Sequence, residues 1–205
     1  MDLWQYERDA AAAGKILICG CDEAGAGPLA GPVYAAAVVL PLGTSIPGLN
    51  DSKKLTAKRR ETLFPMIQDA AAEWSVASVD ENEIDATDIL SARIKAMQMA
   101  IDGLKHTPDF ALIDGNRDRG QSASITTEHI CIIKGDSLSA SIAAASILAK
   151  VSRDHFMVEM SKRYPEYHFE HHKGYGTKEH FELLRRFGPC PIHRLTFLKN
   201  LQKSN

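Results

Sequence analysis

Hydrophobic positions fall into short runs and periodic stretches along most of the chain, and together they predict a mixed sheet flanked by helices. Lys15–Cys21 (KILICGC) and Val33–Leu40 (VYAAAVVL) are β-prone apolar runs, the second bounded by Pro32 and Pro41. Trp74–Val79 alternates apolar and polar residues, as a strand with one wet face does. Phe110–Ile113 and Ile130–Ile133 are short apolar runs that read as buried strands. Thr56–Ala72 predicts a helix with Thr56 as its N-cap. Glu83–Leu104 has apolar residues at 84, 89, 90, 94, 97 and 101, the period of an amphipathic helix ended by Gly103 and Pro108. Leu138–Arg163 reads as a long Ala-rich helix and Thr177–Phe187 as a shorter amphipathic one. Strands interleaved with helices place the chain in the α/β class. Without repeats, low-complexity tracts or a Ser/Gly-rich linker, residues 1–205 read as one domain with a helical C-terminal part.

Composition narrows the class further. Of 205 residues 44% are hydrophobic and 24% charged, as in an ordinary globular protein. No run of about 18 uncharged apolar residues exists, so a membrane span is not expected. The N-terminal stretch carries Asp2, Glu7 and Asp9 and lacks the basic-then-apolar order of a signal peptide. Cys19, Cys21, Cys131 and Cys190 are few and sit mostly in apolar runs, so reduced thiols and a cytoplasmic location are expected. The formal charge of -2 hides a gradient. Residues 1–100 hold 9 basic and 14 acidic side chains, whereas residues from Lys134 onward hold 12 basic, 7 acidic and six of the eight histidines. A basic C-terminal third facing a carboxylate-bearing N-terminal part suits a polyanion handled through metal ions.

Three apolar strands each deliver carboxylates where the chain leaves the sheet. Asp22 and Glu23 follow the first strand and run into Ala24-Gly25-Ala26-Gly27-Pro28-Leu29-Ala30-Gly31-Pro32. Asp114 closes Phe110–Ile113, and Asp136 closes Cys131–Lys134. Singly, such residues are turn formers or, for Asp136, a helix cap. If the three strand ends converge, four carboxylates share one site, and their repulsion is relieved by hard divalent cations such as Mg²⁺ or Mn²⁺. Gly25-Ala26-Gly27-Pro28-Leu29-Ala30 also fits G-x-G-x-x-A, but a dinucleotide fingerprint opens a helix, and here the prolines and the β-branched run predict a second strand. His168, His171 and His172, with Glu166 and Glu170 among them, fit no common zinc spacing.

In these segments the chain resembles type 2 ribonuclease H, the ribonuclease HII family. The resemblance runs from about Ile16 to about Phe197 through CDEAGAGPLAGPV (21–33), NDSKKLT (50–56), IDGN (113–116), KGDS (134–137), AASILAKVSRD (144–154), HKGYGTKEH (172–180) and HRLTF (193–197). It implies a ribonuclease H-like fold, with a mixed five-stranded sheet, flanking helices and a C-terminal helical extension from about residue 164. The implied activity is metal-dependent endonucleolytic hydrolysis of RNA in RNA–DNA hybrids and at ribonucleotides embedded in duplex DNA. Cleavage on the 5′ side of the ribonucleotide would leave a 3′-hydroxyl and a 5′-phosphate. The family's metal-binding acids correspond to Asp22, Glu23, Asp114 and Asp136, with two Mg²⁺ or Mn²⁺ ions as cofactors.

The same resemblance assigns 2′-hydroxyl sensing to backbone groups of Gly25, Ala26 and Gly27, and sugar stacking to Tyr175. Lys53, Lys54, Lys173 and Arg194 are candidate phosphate contacts. Asp154 matches a further family acid, expected to stand behind the metal ligands. One departure is Ala26, where the family pattern has Arg. A catalytically impaired hybrid-binding protein is therefore the alternative reading, beside a DNA nuclease or resolvase of the same metal class. A monomer is expected, and Leu198–Asn205 shows no docking pattern.

Overall fold

The computed structural model describes residues 2–50 and 52–199. Met1, Asp51 and the tail from Asn200, including most of the stretch expected to lack a docking pattern, lie outside the described residues. In chain order the elements are α1 (Gln5–Ala12), β1 (Ile18–Ala24), β2 (Val33–Val39), α2 (Ala57–Ala70), β3 (Glu73–Val79), α3 (Glu81–Ala86) and α4 (Ile89–Asp102). They continue with β4 (Phe110–Asp114), β5 (His129–Ile132), α5 (Ala140–Arg163), α6 (Phe169–His172) and α7 (Lys178–Phe187). The five strands form one sheet in the order β3-β2-β1-β4-β5. β1 runs antiparallel to β2 and parallel to β4; β2–β3 is antiparallel and β4–β5 parallel. The mixed five-stranded sheet with flanking helices is therefore present.

The sheet is covered on both faces. Cys19, Cys21, Ala35, Ala37, Ala111 and Ile113 pack against Ile94, Met97 and Ile101 of α4. Ala36 and Val38 face the other way, onto Leu63 and Ile67 of α2 and Ala144, Ile147 and Leu148 of α5. β2 is buried on both sides, which is why its sequence is apolar throughout rather than alternating. α5 lies unusually close to β1 because Gly20 has no side chain: a Cβ there would stand 2.2 Å from the Ser141 carbonyl carbon. A smaller cluster of Ala30, Met157, Tyr167, Phe169, Leu184 and Ile192 joins the C-terminal helices to the end of α5.

Three local expectations are corrected. β1 extends through Ala24, so Asp22 and Glu23 lie inside the strand, paired across from Ala36 and Ala35. The helix expected over Glu83–Leu104 is two helices, because Asp88 caps α4, its carboxylate accepting from the Ser91 N–H at 2.9 Å. α1 was not expected; it buries only Glu7 and Ala10, too little apolar surface to leave a period in the sequence. Among the described residues no helix is long and apolar enough to cross a membrane.

Candidate active site

β1 and β4 are parallel neighbours with Cys21 opposite Ile113, so Asp22 and Asp114, one residue further on in each strand, reach the same sheet edge. Alternation sends Asp22 toward the α5 side and Glu23 toward α4, where Arg93 lies 3.2 Å from Glu23 Oε1. Beyond β5 the chain turns sharply, with Lys134 at φ 59°, and a single 3₁₀ turn carries Asp136. The Asp136 N–H donates to Asp114 Oδ1 at 3.3 Å. Asp136 is not the cap of α5; Ser139 is, accepting from the Ile142 N–H at 3.1 Å. Asp22, Glu23 and Asp114 line one cleft of about 250 Å³ together with Gly25, Ala26, Gly27, Lys53 and Tyr175.

Burial sets the electrostatics of this cleft. Desolvation, then the charges of Glu23 and Asp114, push the Asp22 carboxyl well above its ordinary range. Glu23 is also raised by burial, although Arg93 opposes the shift. Lys53 bridges the acids, its Nζ 3.4 Å from Asp136 Oδ2. Burial works against its ammonium, but Asp22 and Asp136 outweigh that and raise its pKa. Glu23 Oε2 is buried and has no hydrogen-bond partner among the described residues. An orphaned carboxylate oxygen among hard oxygen donors is what a divalent cation would satisfy, so the residues fit Mg²⁺ or Mn²⁺.

The glycine segment is held from below by two buried arginines. Arg153 donates to the carbonyls of Pro32 (3.0 Å), Ala30 (2.9 Å) and Lys173 (3.0 Å). Arg194 donates to those of Gly31 (2.9 Å), Ala26 (3.0 Å) and Gly25 (2.7 Å). Gly25 takes φ +95°, and a Cβ there would stand 2.1 Å from Arg153 Nε. Arg194 is 0% exposed, which corrects its expected role: its guanidinium is spent on carbonyls and cannot reach a phosphate. The backbone of Ala26 is thus anchored whatever side chain it bears.

The remaining expected residues divide into those at the cleft and those beside it. Tyr175 is 41% exposed at the cleft wall, with Lys150 Nζ and Arg153 at 5.6 and 5.7 Å from its ring centre. Lys54 is bonded to Ser137 Oγ at 2.9 Å, and Lys173 donates back to the Glu170 carbonyl. Asp154 does not line the cleft; it accepts from Lys150 at 2.6 Å and faces Arg60 at 3.9 Å. Lys150 and Arg60, which do line it, were not expected from sequence. Their signal, Lys150 and Asp154 four residues apart on one helix, also fits a plain surface ion pair. Of the histidines, His172 turns inward to bond the Tyr167 carbonyl at 2.9 Å, while His168 and His171 face Glu179.

A mixed sheet whose strand ends gather carboxylates beside a strapped glycine loop defines a hydrolase of the ribonuclease H class. A family model described as Ribonuclease HII matches residues 19–200. The Ribonuclease HII of Acetivibrio thermocellus is 52% identical over 200 residues, covering 98% of this chain and 77% of that protein. That of Caldicellulosiruptor bescii is 54% identical over 188 residues, 92% of this chain and 89% of the relative. Among solved structures, ribonuclease H2 from Pyrococcus horikoshii OT3 superposes with a TM-score of 0.73 at 25% identity, over 93% of this chain and all (100%) of its own. Bst-RNase HIII in complex with Mn²⁺ shares the fold with a TM-score of 0.59 at 20% identity, over 87% of this chain and 65% of its own. The chain belongs to the ribonuclease HII family and is an endoribonuclease.

Proposed function

We propose that this protein hydrolyses the RNA strand of RNA–DNA hybrids and cuts 5′ of ribonucleotides embedded in duplex DNA, leaving a 3′-hydroxyl and a 5′-phosphate. The observation that carries the reading is the shared cleft. Asp22, Glu23 and Asp114 line it with the Gly25–Gly27 backbone and Tyr175, so hydrolytic groups and ribose-sensing groups face one space. Asp22, Glu23, Asp114 and Asp136 would hold two divalent cations, Mg²⁺ or Mn²⁺, and a relative of the same fold is described in complex with Mn²⁺. When bound, such ions supply Lewis-acid activation of water and neutralise charge on the departing oxygen.

The protein's own residues supply recognition. A 2′-hydroxyl is what separates RNA from DNA, and a probe for it needs backbone that can approach a sugar closely. Gly25, Ala26 and Gly27 offer such backbone, with the Gly25 and Ala26 carbonyls pinned by Arg194. Tyr175 gives an aromatic face to the neighbouring sugar. Lys53, Lys54 and Lys173 contribute positive charge toward the phosphates, with residues from about 164 onward acting as the substrate-binding part of a monomeric cytoplasmic enzyme. The Ala26 side chain contributes no phosphate contact, so weaker binding than in Arg-bearing relatives follows, while the strapped backbone favours retained catalysis over a purely binding role.

Cleavage of a DNA duplex containing one ribonucleotide, compared with the all-DNA duplex across Mg²⁺ and Mn²⁺ series, tests the reading. Cutting confined to the 5′ side of the ribonucleotide is expected. Equal cutting of both duplexes would instead identify a DNA nuclease. Asp114→Asn should reduce turnover by at least about 10³-fold, within the share of catalysis a metal centre supplies, and leave hybrid binding largely in place.

A further inference from the structure

We infer that His168, His171 and Glu179 form a second metal site, selective for Zn²⁺ or a cation of similar softness and separate from the carboxylate cleft. Among the described residues these three offer ligand atoms that all lie within 4.8 Å of one another. His168 Nδ1 is 2.8 Å and His171 Nδ1 3.3 Å from the same oxygen, Glu179 Oε1. A tetrahedral zinc ion with bonds of about 2.0–2.1 Å separates its ligand atoms by roughly 3.3 Å, so small shifts would admit the ion.

Two further features point the same way. His171 Nε2 lies 3.6 Å from Glu170 Oε1, so a second carboxylate stands on the far side of the ring, placed to orient it when an ion displaces the Nδ1 proton that now bonds Glu179. His168 adopts φ 51°, a left-handed conformation uncommon outside glycine, and this turn sets its ring beside that of His171, 5.6 Å away. All three groups are partly or largely open to solvent, which leaves room for water as the fourth ligand.

Ligand chemistry keeps the two sites apart: imidazole selects zinc-like ions, whereas four carboxylates select Mg²⁺ or Mn²⁺. Sequence spacing could not reveal this site because the third ligand comes from α7, across the turn that presents Tyr175. His172, the nearer candidate, is directed inward. An ion here would tie α6 to α7 on either side of Tyr175.

Equilibrium dialysis of the full chain against Zn²⁺ at neutral pH, with millimolar Mg²⁺ present to occupy the cleft, tests the assignment. One tightly held Zn²⁺ per chain is expected, weakened at least about tenfold in His171→Ala and in Glu179→Gln and unchanged in Asp114→Asn. Zn²⁺ should also raise the melting temperature of the unmodified chain and not that of Glu179→Gln. No retained Zn²⁺, or retention lost in Asp114→Asn but kept in Glu179→Gln, would overturn the site. The exposed positions of His171 and Glu179 make misfolding a poor explanation for lost binding, and the variants' metal-free melts check that directly.

Discussion

At the scale of single residues the glycine segment is held by two guanidiniums, Arg153 and Arg194, that donate to backbone carbonyls. Burial, then the like charge of Arg153, lowers the pKa of Arg194 to about 9, which leaves it charged at neutral pH. Its charge is compensated by three carbonyl dipoles, a geometry that a lysine cannot reproduce with one ammonium. Arg194→Lys should therefore destabilise the fold by about 2–4 kcal/mol and lower kcat/KM by loosening the glycine segment, measured by urea melts and steady-state cleavage. Normal stability and kinetics would show that the strap is dispensable. Ala26 makes the opposite case, a position whose backbone is held and whose side chain is free to change. Ala26→Arg should raise affinity for a hybrid duplex and steepen the salt dependence of log K by about one. Equal affinity and equal salt slope in the two proteins would refute it.

Among elements, α7 is joined to the turn before it and the segment after it by a neutral histidine chain whose tautomers follow from its partners. His180 Nδ1 donates to the Tyr175 carbonyl at 2.9 Å, so its Nε2 accepts from His193 Nε2–H at 3.0 Å. His193 Nδ1 then accepts from the Cys190 N–H at 2.9 Å. Burial lowers both pKa values to about 4, with the His172 ring also opposing the charging of each and His180 opposing that of His193. A folded-state pKa depressed below the unfolded value near 6.5 means stability is fully present above that value and is lost as pH falls toward 4. Urea melts between pH 7 and 4.5 should show stability falling by up to about 1.4 kcal/mol per pH unit for each histidine. A flat profile would show that the chain can hold a proton. Little of this was legible beforehand, because His180 and His193 are thirteen residues apart and only the packing of α7 brings them together. The strands were legible as apolar runs, but the buried strand expected over Ile130–Ile133 is corrected: β5 lies at the sheet edge, Ile130 is 40% exposed, and Ile133, 66% exposed, falls outside it. The break at Thr87–Asp88 was hidden by an apolar period that continues through it.

For the whole molecule, the net charge of -2 averages a carboxylate end and a basic C-terminal third. In the metal-free fold the raised pKa values of Asp22 and Glu23 work against stability at neutral pH. Their contribution is complete below the unfolded carboxylate values and is lost as pH rises through the folded ones, opposite in sign to the histidine effect. Divalent cations should offset that loss, so millimolar Mg²⁺ should raise the melting temperature at pH 7.5 by several degrees, and by much less in Asp22→Asn. An equal rise in both proteins would place the stabilising cation elsewhere.

The sequence alone determined which apolar runs lead to Asp22, Glu23, Asp114 and Asp136, because apolar runs of that length must enter the sheet; it misplaced the end of β1, which continues through both acids to Ala24. It also determined the close backbone of the glycine segment, because glycine acts through its own φ and missing Cβ. Only the tertiary structure decided that Arg194 serves the loop instead of a phosphate, that Lys150 and Arg60 enter the cleft, and that Glu179 meets His168 and His171. A long or flexible side chain takes its role from whichever neighbours folding delivers, and those neighbours are distant in sequence.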